Sequence, residues 1–366
     1  MDPHGRAHAA GVRLGARPRV ALDARWVQTD EPGGIGRMLL HLLPLLREEV
    51  DLHLLTDARR PPLRLGLPEH PLTAPPPRTA VTWLQVGAAR FTHSFDGVFH
   101  CPFYGLPAAG RGPMVASLHD LTFEHRPEWF PPGKRAAFRA QARVAARRAR
   151  VLLTGSQHVR DDVVVTYGVP PDRVLVHPHA PHPAFRPDRD AAALRARLRL
   201  PDRWVVAFGG APRRGLDRAV AAWRLLGAGP DLPLVVVGPE APPALPGVVH
   251  AGWLADDDLA DLLSGAAALL YPTGYEGYGL PAVEAQAAGA PVVAARVGAL
   301  PEVLGGVASW SASLEAADLA DALRAVLDAP DRAADLRARG LARAAAAPGW
   351  AEAAAVHVEA YRRAAA

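Results

Sequence analysis

Tyr271-Pro-Thr-Gly-Tyr-Glu276-Gly-Tyr-Gly-Leu-Pro281-Ala-Val-Glu284 closes the apolar run that begins at Ala267. A β-type stretch ends, glycines take over, and a helix can start at Pro281, whose fixed φ and missing N–H suit the first helical position. Strand, glycine turn and helix in succession make the βα unit of a parallel sheet. Amides around Gly277 and Gly279 then point out of a helix N-terminus, where donors and macrodipole together bind phosphate. Glu284 sits one turn in. A carboxylate beside a phosphate pocket makes sense if it accepts hydrogen bonds from sugar hydroxyls, as acidic residues do for ribose in dinucleotide folds. Glu284 is therefore the ribose candidate and Glu276 the donor-sugar candidate. Either alone would pass for a helix-capping carboxylate; the two together, framing Gly-Tyr-Gly-Leu-Pro, point to function.

Outward from this segment, apolar runs and helical stretches alternate on both sides. Trp204 to Phe208, Leu234 to Val237, Val248 to His250 and Pro291 to Ala294 read as strands in the C-terminal half. Arg19 to Asp23, Leu52 to Thr56, Gly97 to His100, Met114 to Leu118 and Arg150 to Thr154 read as strands in the N-terminal half. Such alternation predicts parallel sheets and an α/β class. The Pro-rich stretch from Arg60 to Arg78 is expected as a surface loop. The segment Val174 to Pro187 carries His177, His179 and His182 among prolines and reads as the linker between two domains. Without Cys or acidic partners its histidines read as incidental rather than as a metal site.

At 366 residues, with 49% apolar residues, the chain is long enough for two packed cores. Its +4 charge is almost wholly arginine and forms no nucleic-acid motif with interleaved aromatics, so nucleic acid is not expected. The single cysteine, Cys101, fits a reducing compartment, and no run has signal-peptide or membrane-span character, so a cytoplasmic location is expected. The helix expected over residues 133–150 aligns Arg135, Arg139, Arg143 and Arg147 on one face. That face reads first as solvated; peripheral contact with an anionic membrane or acceptor is the sharper alternative.

Glu-Gly-Tyr-Gly-Leu-Pro-Ala-Val-Glu-Ala resembles the hallmark of glycosyltransferase family 4, with Tyr278 for the usual Phe. Val-Val-Ala-Phe-Gly209-Gly210-Ala-Pro212-Arg213-Arg214-Gly215 is similar to the family's strand, glycines and basic pair, with Arg214 where the diphosphate-binding Lys usually stands. Physically, cations opening a helix oppose its dipole, which favours a bound anion there. Gly33-Gly34-Ile35-Gly36-Arg37 resembles the loop that closes over the donor phosphates, and Ser-Leu-His119-Asp120-Leu resembles a segment found in members that include mannosyltransferases. The resemblance implies that His119 contacts the donor sugar, while Asp120 orients loop backbone. Ser156 reads as a helix N-cap. Trp350 to Arg362 resembles the family's final helix, which crosses back onto the N-terminal domain.

The resemblance thus implies a GT-B fold, two Rossmann-like domains facing across a cleft. The expected division is an extension over 1–18, an acceptor domain over 19–183, a nucleotide-sugar domain over 184–348 and a returning helix over 349–366. It also implies a retaining, metal-independent hexosyltransferase without a cofactor, moving sugar from a nucleotide diphosphate to a glycan, lipid-linked or small-molecule acceptor. His119, Arg214 and Glu276 are its expected catalytic residues, and Gly34, Gly209, Arg213, Arg214, Tyr278, Gly279, Leu280 and Glu284 its donor-binding residues. The His-Asp-Leu segment favours GDP-mannose slightly over UDP-glucose. A non-catalytic subunit with the same fold, or a glycosidase using Glu276 and Glu284 as acid and base, are the alternatives.

Overall fold

The computed structural model describes residues 17–29, 32–239 and 241–366; the extension expected over residues 1–18 lies almost wholly outside these. Seven strands form the first sheet: β1 (Arg19–Asp23), β2 (Asp51–Asp57), β3 (Glu69–Leu72), β4 (Val98–Cys101), β5 (Met114–Ser117), β6 (Val151–Thr154) and β7 (Val174–Val176), ordered β3-β2-β1-β4-β5-β6-β7. Six form the second: β8 (Val205–Phe208), β9 (Leu234–Val237), β10 (Val248–Gly252), β11 (Ala268–Tyr271), β12 (Val292–Ala295) and β13 (Ser309–Ser311), ordered β10-β9-β8-β11-β12-β13. Every pairing is parallel. The strand order turns back between β1 and β4 and between β8 and β11, leaving a crevice at the carboxyl ends of those strands.

Alternation along each strand feeds a separate core on each sheet face. Val20, Leu22 and Val98 pack with the helix Gly34–Glu49 and the final helix Trp350–Ala365, whereas Ala21 and Phe99 face the opposite core with Trp83, Phe123 and Leu152. In the second sheet Val205 and Ala207 face one core, Val206 and Phe208 the other. Both faces are covered by helices, so strands such as LVVV and ALLY are apolar throughout. The final helix lies on the first sheet, where the Tyr361 hydroxyl hydrogen-bonds His100 Nδ1 at 2.8 Å.

Three strands escaped sequence reading. β3 lies inside the stretch expected to be loop; it is an edge strand and tolerates Pro71 because an edge has ladder positions that need no N–H. β7 begins the segment read as a linker, and the His177 amide extends its ladder to the Thr154 carbonyl at 2.9 Å. His177 and His179 are buried, not incidental to an exposed linker. β13, Ser-Trp-Ser, has no apolar run to announce it.

Candidate active site

A cavity of about 610 Å³ lies between the two sheets. On its C-terminal side, Glu276 follows β11 and is nearly buried. Its Oε1 accepts from the Tyr271 hydroxyl at 2.6 Å and from Thr273 Oγ1 at 3.3 Å, while Oε2 accepts from Arg213 Nη1 at 2.9 Å. The carboxylate beside it raises the Arg213 pKa, so this guanidinium stays charged. Two close approaches explain the glycines. A Cβ on Gly277 would overlap the His119 carbonyl oxygen across the cleft, and one on Gly298, at φ +53°, would overlap the Glu276 carbonyl.

The helix Leu280–Ala288 starts on Gly279 with Pro281 in its first turn. Glu284 lies on it, fully buried and facing the N-terminal half. Arg37 Nη2, from the first turn of Gly34–Glu49, donates to Glu284 Oε1 at 2.6 Å and lies 2.8 Å from Asp256 Oδ1. Burial pushes the Glu284 carboxyl up to about 7, with Arg37 pulling the other way. Its Oε2 is buried and has no hydrogen-bond partner. Arg214 follows β8 in the short 3-10 turn Pro212–Arg214 and donates to the Gly209 carbonyl at 2.9 Å, its guanidinium beside the Phe208 ring.

The N-terminal wall delivers His119 after β5. Its Nε2 lies 2.8 Å from the Pro102 carbonyl, which can only accept, so the neutral ring carries its N–H there and keeps a lone pair on Nδ1. Burial lowers the His119 pKa and holds the ring neutral. Asp120 Oδ1 accepts from the Thr122 amide at 2.9 Å, the backbone-orienting role its position suggests. Gly33 and Gly34 line the same cavity with open space where side chains would stand. Phe103, Trp129, Phe130 and Phe138 add an aromatic wall, and exposed Lys134, the only lysine of the chain, lies at its edge.

Beside the Arg37 contacts, two more clasp the halves. Ser156 caps the helix Gln157–Tyr167 by accepting from the Val159 amide, and its hydroxyl donates to the Gly277 carbonyl at 2.7 Å. The Glu302 carboxylate accepts from the Gln157 and His158 amides at 2.8 and 3.0 Å, an anion on a helix N-terminus. The helix read as a basic surface spans Pro132–Arg148, but Arg135 donates to the Phe123 carbonyl and Arg139 pairs with Glu124 at 2.7 Å. The expected stripe is thus half engaged by the protein itself. No helix among the described residues is long and apolar enough to cross a membrane.

The structure brings His119, Arg213, Arg214, Glu276, Tyr278, Gly279, Leu280, Glu284 and Gly34 to one cavity; Gly209 meets it through the Arg214 contact. Sequence reading gave no individual role to Arg37, Tyr271, Thr273, Asp256 or Glu302, although Arg37, Tyr271 and Thr273 fall within the stretches quoted. Arg37 alone carried a signal, a cation opening a helix against its dipole.

Two family models divide this chain between them. "Glycosyltransferase Family 4" matches residues 32–183, covering Gly34 and His119, and "Glycosyl transferases group 1" matches residues 202–329, covering Arg214, Glu276 and Glu284. The chain belongs to glycosyltransferase family 4. Among family 4 relatives it is 32% identical over 276 residues to the MMP α-(1→4)-mannosyltransferase of Mycolicibacterium hassiacum, covering 69% of this chain and 66% of that protein. It is 36% identical over 280 residues to D-inositol 3-phosphate glycosyltransferase 1 of Catenulispora acidiphila, covering 68% and 66%. The chain thus spans about two thirds of the length of these relatives. Its GT-B fold is shared with HepE of Anabaena, solved in complex with UDP and glucose, at a TM-score of 0.73 and 19% identity over 94% of this chain and 98% of that one.

Proposed function

We propose that this family 4 chain is a retaining glycosyltransferase that moves a hexose from a nucleotide diphosphate without a metal ion. The observation that carries the reading is the pair of carboxylates around one helix N-terminus. Glu276 is pinned by Tyr271, Thr273 and Arg213, and Glu284 offers a buried, unpartnered oxygen to the cleft. The unpartnered oxygen suits a ribose hydroxyl. The N-terminal turn of the helix at Gly279 and Leu280, lining one cavity with Arg213 and Arg214, suits the diphosphate, and the neutral Nδ1 of His119 suits a sugar hydroxyl. As the glycosidic bond lengthens, negative charge grows on the leaving phosphate, and fixed guanidinium groups stabilise it more in the transition state than in the ground state.

Retention is supported by what faces the sugar. Among the described residues lining the cavity, Asp120 is the carboxylate of the N-terminal wall, and it is held by the Thr122 amide. The acceptor hydroxyl would then attack from the leaving-group side and pass its proton to the departing phosphate. A covalent glycosyl-enzyme, or product of inverted anomeric configuration, would contradict this. The glycosidase alternative fits less well, because Glu276 is ion-paired to Arg213 and so is not free to act as acid or nucleophile, and one oxygen of Glu284 is taken by Arg37. The relatives favour a mannosyl or related hexosyl donor, and the His-Asp-Leu segment keeps GDP-mannose slightly ahead of UDP-glucose. Glycan, lipid-linked and small-molecule acceptors all suit an open, aromatic-walled cleft.

The test is calorimetry with GDP, UDP and ADP in the presence of a chelator, on the wild type and Glu284→Ala. One nucleotide should bind, and the substitution should weaken it at least tenfold. Binding of none would favour a non-catalytic subunit.

A further inference from the structure

The carboxyl end of β7 carries side chains that the proposed transfer leaves unused. His177 and His179 follow β7, His119 follows β5 two strands away, and one ring nitrogen from each lies within 4.8 Å of the other two. His177 is fully buried, yet neither of its ring nitrogens has a hydrogen-bond partner, and Nδ1 of His179 is buried and unpartnered as well. A buried polar atom left unpaired costs about 1–3 kcal/mol. Three in two neighbouring rings is a cost that an apolar pair would avoid. His119 shows the complementary feature: its Nε2–H is tied to the Pro102 carbonyl, the outer contact that fixes the tautomer of a ligating imidazole and leaves Nδ1 with the free lone pair. The rings cross steeply, His177 against His179 at 72° and against His119 at 82°, so lone pairs can converge from different sides. Burial keeps all three neutral, the form that binds metal.

We propose that His119, His177 and His179 form a three-imidazole site for a first-row transition-metal ion such as Zn²⁺, with its fourth position open to the cleft. Imidazole nitrogens lie about 2.0–2.1 Å from such an ion, so a tetrahedral set has nitrogens roughly 3.4 Å apart, and the rings must draw in by about 1 Å from the arrangement described. A set made only of imidazoles suits Zn²⁺, Co²⁺ or Ni²⁺ rather than Mg²⁺ or Ca²⁺. The ion would be inhibitory, not a cofactor. His119 has one lone pair, and a metal and a donor-sugar hydroxyl compete for it. This second step rests on the transferase reading; the site itself does not.

The test is titration of the metal-stripped chain with Co²⁺, without any nucleotide. One equivalent should produce the visible absorption of four-coordinate Co²⁺, be displaced by Zn²⁺, and be lost in both His177→Ala and His179→Gln. The two variants sit at different positions and introduce different side chains, so misfolding of one, seen in its thermal melt, leaves the other decisive. No saturable band, or a band that survives in the folded variants, overturns the site. With an active donor, Zn²⁺ should raise the donor KM at least tenfold in the wild type and leave His177→Ala unaffected. An unchanged KM in zinc-loaded enzyme overturns the inhibition. If no donor is found at all, the Co²⁺ titration still decides the site.

Discussion

Glu284 has two oxygens in different circumstances, one held by Arg37 and one buried without a partner. Burial keeps its carboxyl protonated up to about pH 7. Hydroxyl donors from a bound ribose would favour the ionised form, so nucleotide affinity should rise as pH increases through 7 and approach a tenfold loss per unit below it; calorimetry at several pH values should show this slope flattened in Glu284→Gln. Stability follows the opposite course. The folded, empty protein holds a proton that the unfolded chain has released above its ordinary 4.5, so Glu284 contributes less and less as pH rises from there to about 7. Thermal melts of Glu284→Gln should therefore match the wild type near pH 4.5 and exceed it by roughly 2–4 °C at pH 8. The two arginines should separate kinetically. Arg214→Ala should lower kcat by about 10²-fold with little change in donor KM, and Arg213→Ala, which frees Glu276, should chiefly raise the donor KM. Glu276 and Glu284 were legible because their spacing is local. Arg37 was not, because its carboxylates lie on another domain and no sequence periodicity joins them.

Helices and strands were legible wherever an apolar run is bounded by glycine or proline, as at β11 and Leu280–Ala288. They were hidden where tertiary contacts replaced local signal: β3 exists because β2 offers an open edge, and β7 because β6 does. The loop between β11 and that helix makes a prediction of its own. Gly277→Ala cannot be accommodated against the His119 carbonyl, so the substitution should push the walls of the cleft apart, abolish transfer and leave each core folded. An increased radius of gyration with unchanged circular dichroism would show this. The final helix is tied by Tyr361 to His100, and Tyr361→Phe should cost about 1 kcal/mol of stability, seen as a lower melting temperature with donor affinity intact.

For the whole molecule, two parallel sheets facing across a cleft could be foreseen from alternating patterns, but the order of their strands and the clasp between the halves could not. Ser156 announces itself only as a cap, and nothing in the chain ties Glu302 to a helix start 144 residues away. Glu302→Ala should weaken this clasp and shift the halves toward separation. Because closure excludes water, the ratio of donor hydrolysis to transfer should rise severalfold, measured as free sugar against glycosylated product. Lys134, at the rim of that cleft, adds something the biology does not require. In a chain that uses arginine everywhere else, amine-directed dyes have a single side chain to find once the α-amino group is blocked, so a fluorophore can be installed at the mouth of the cleft without substitution and made to report, molecule by molecule, when it is shut.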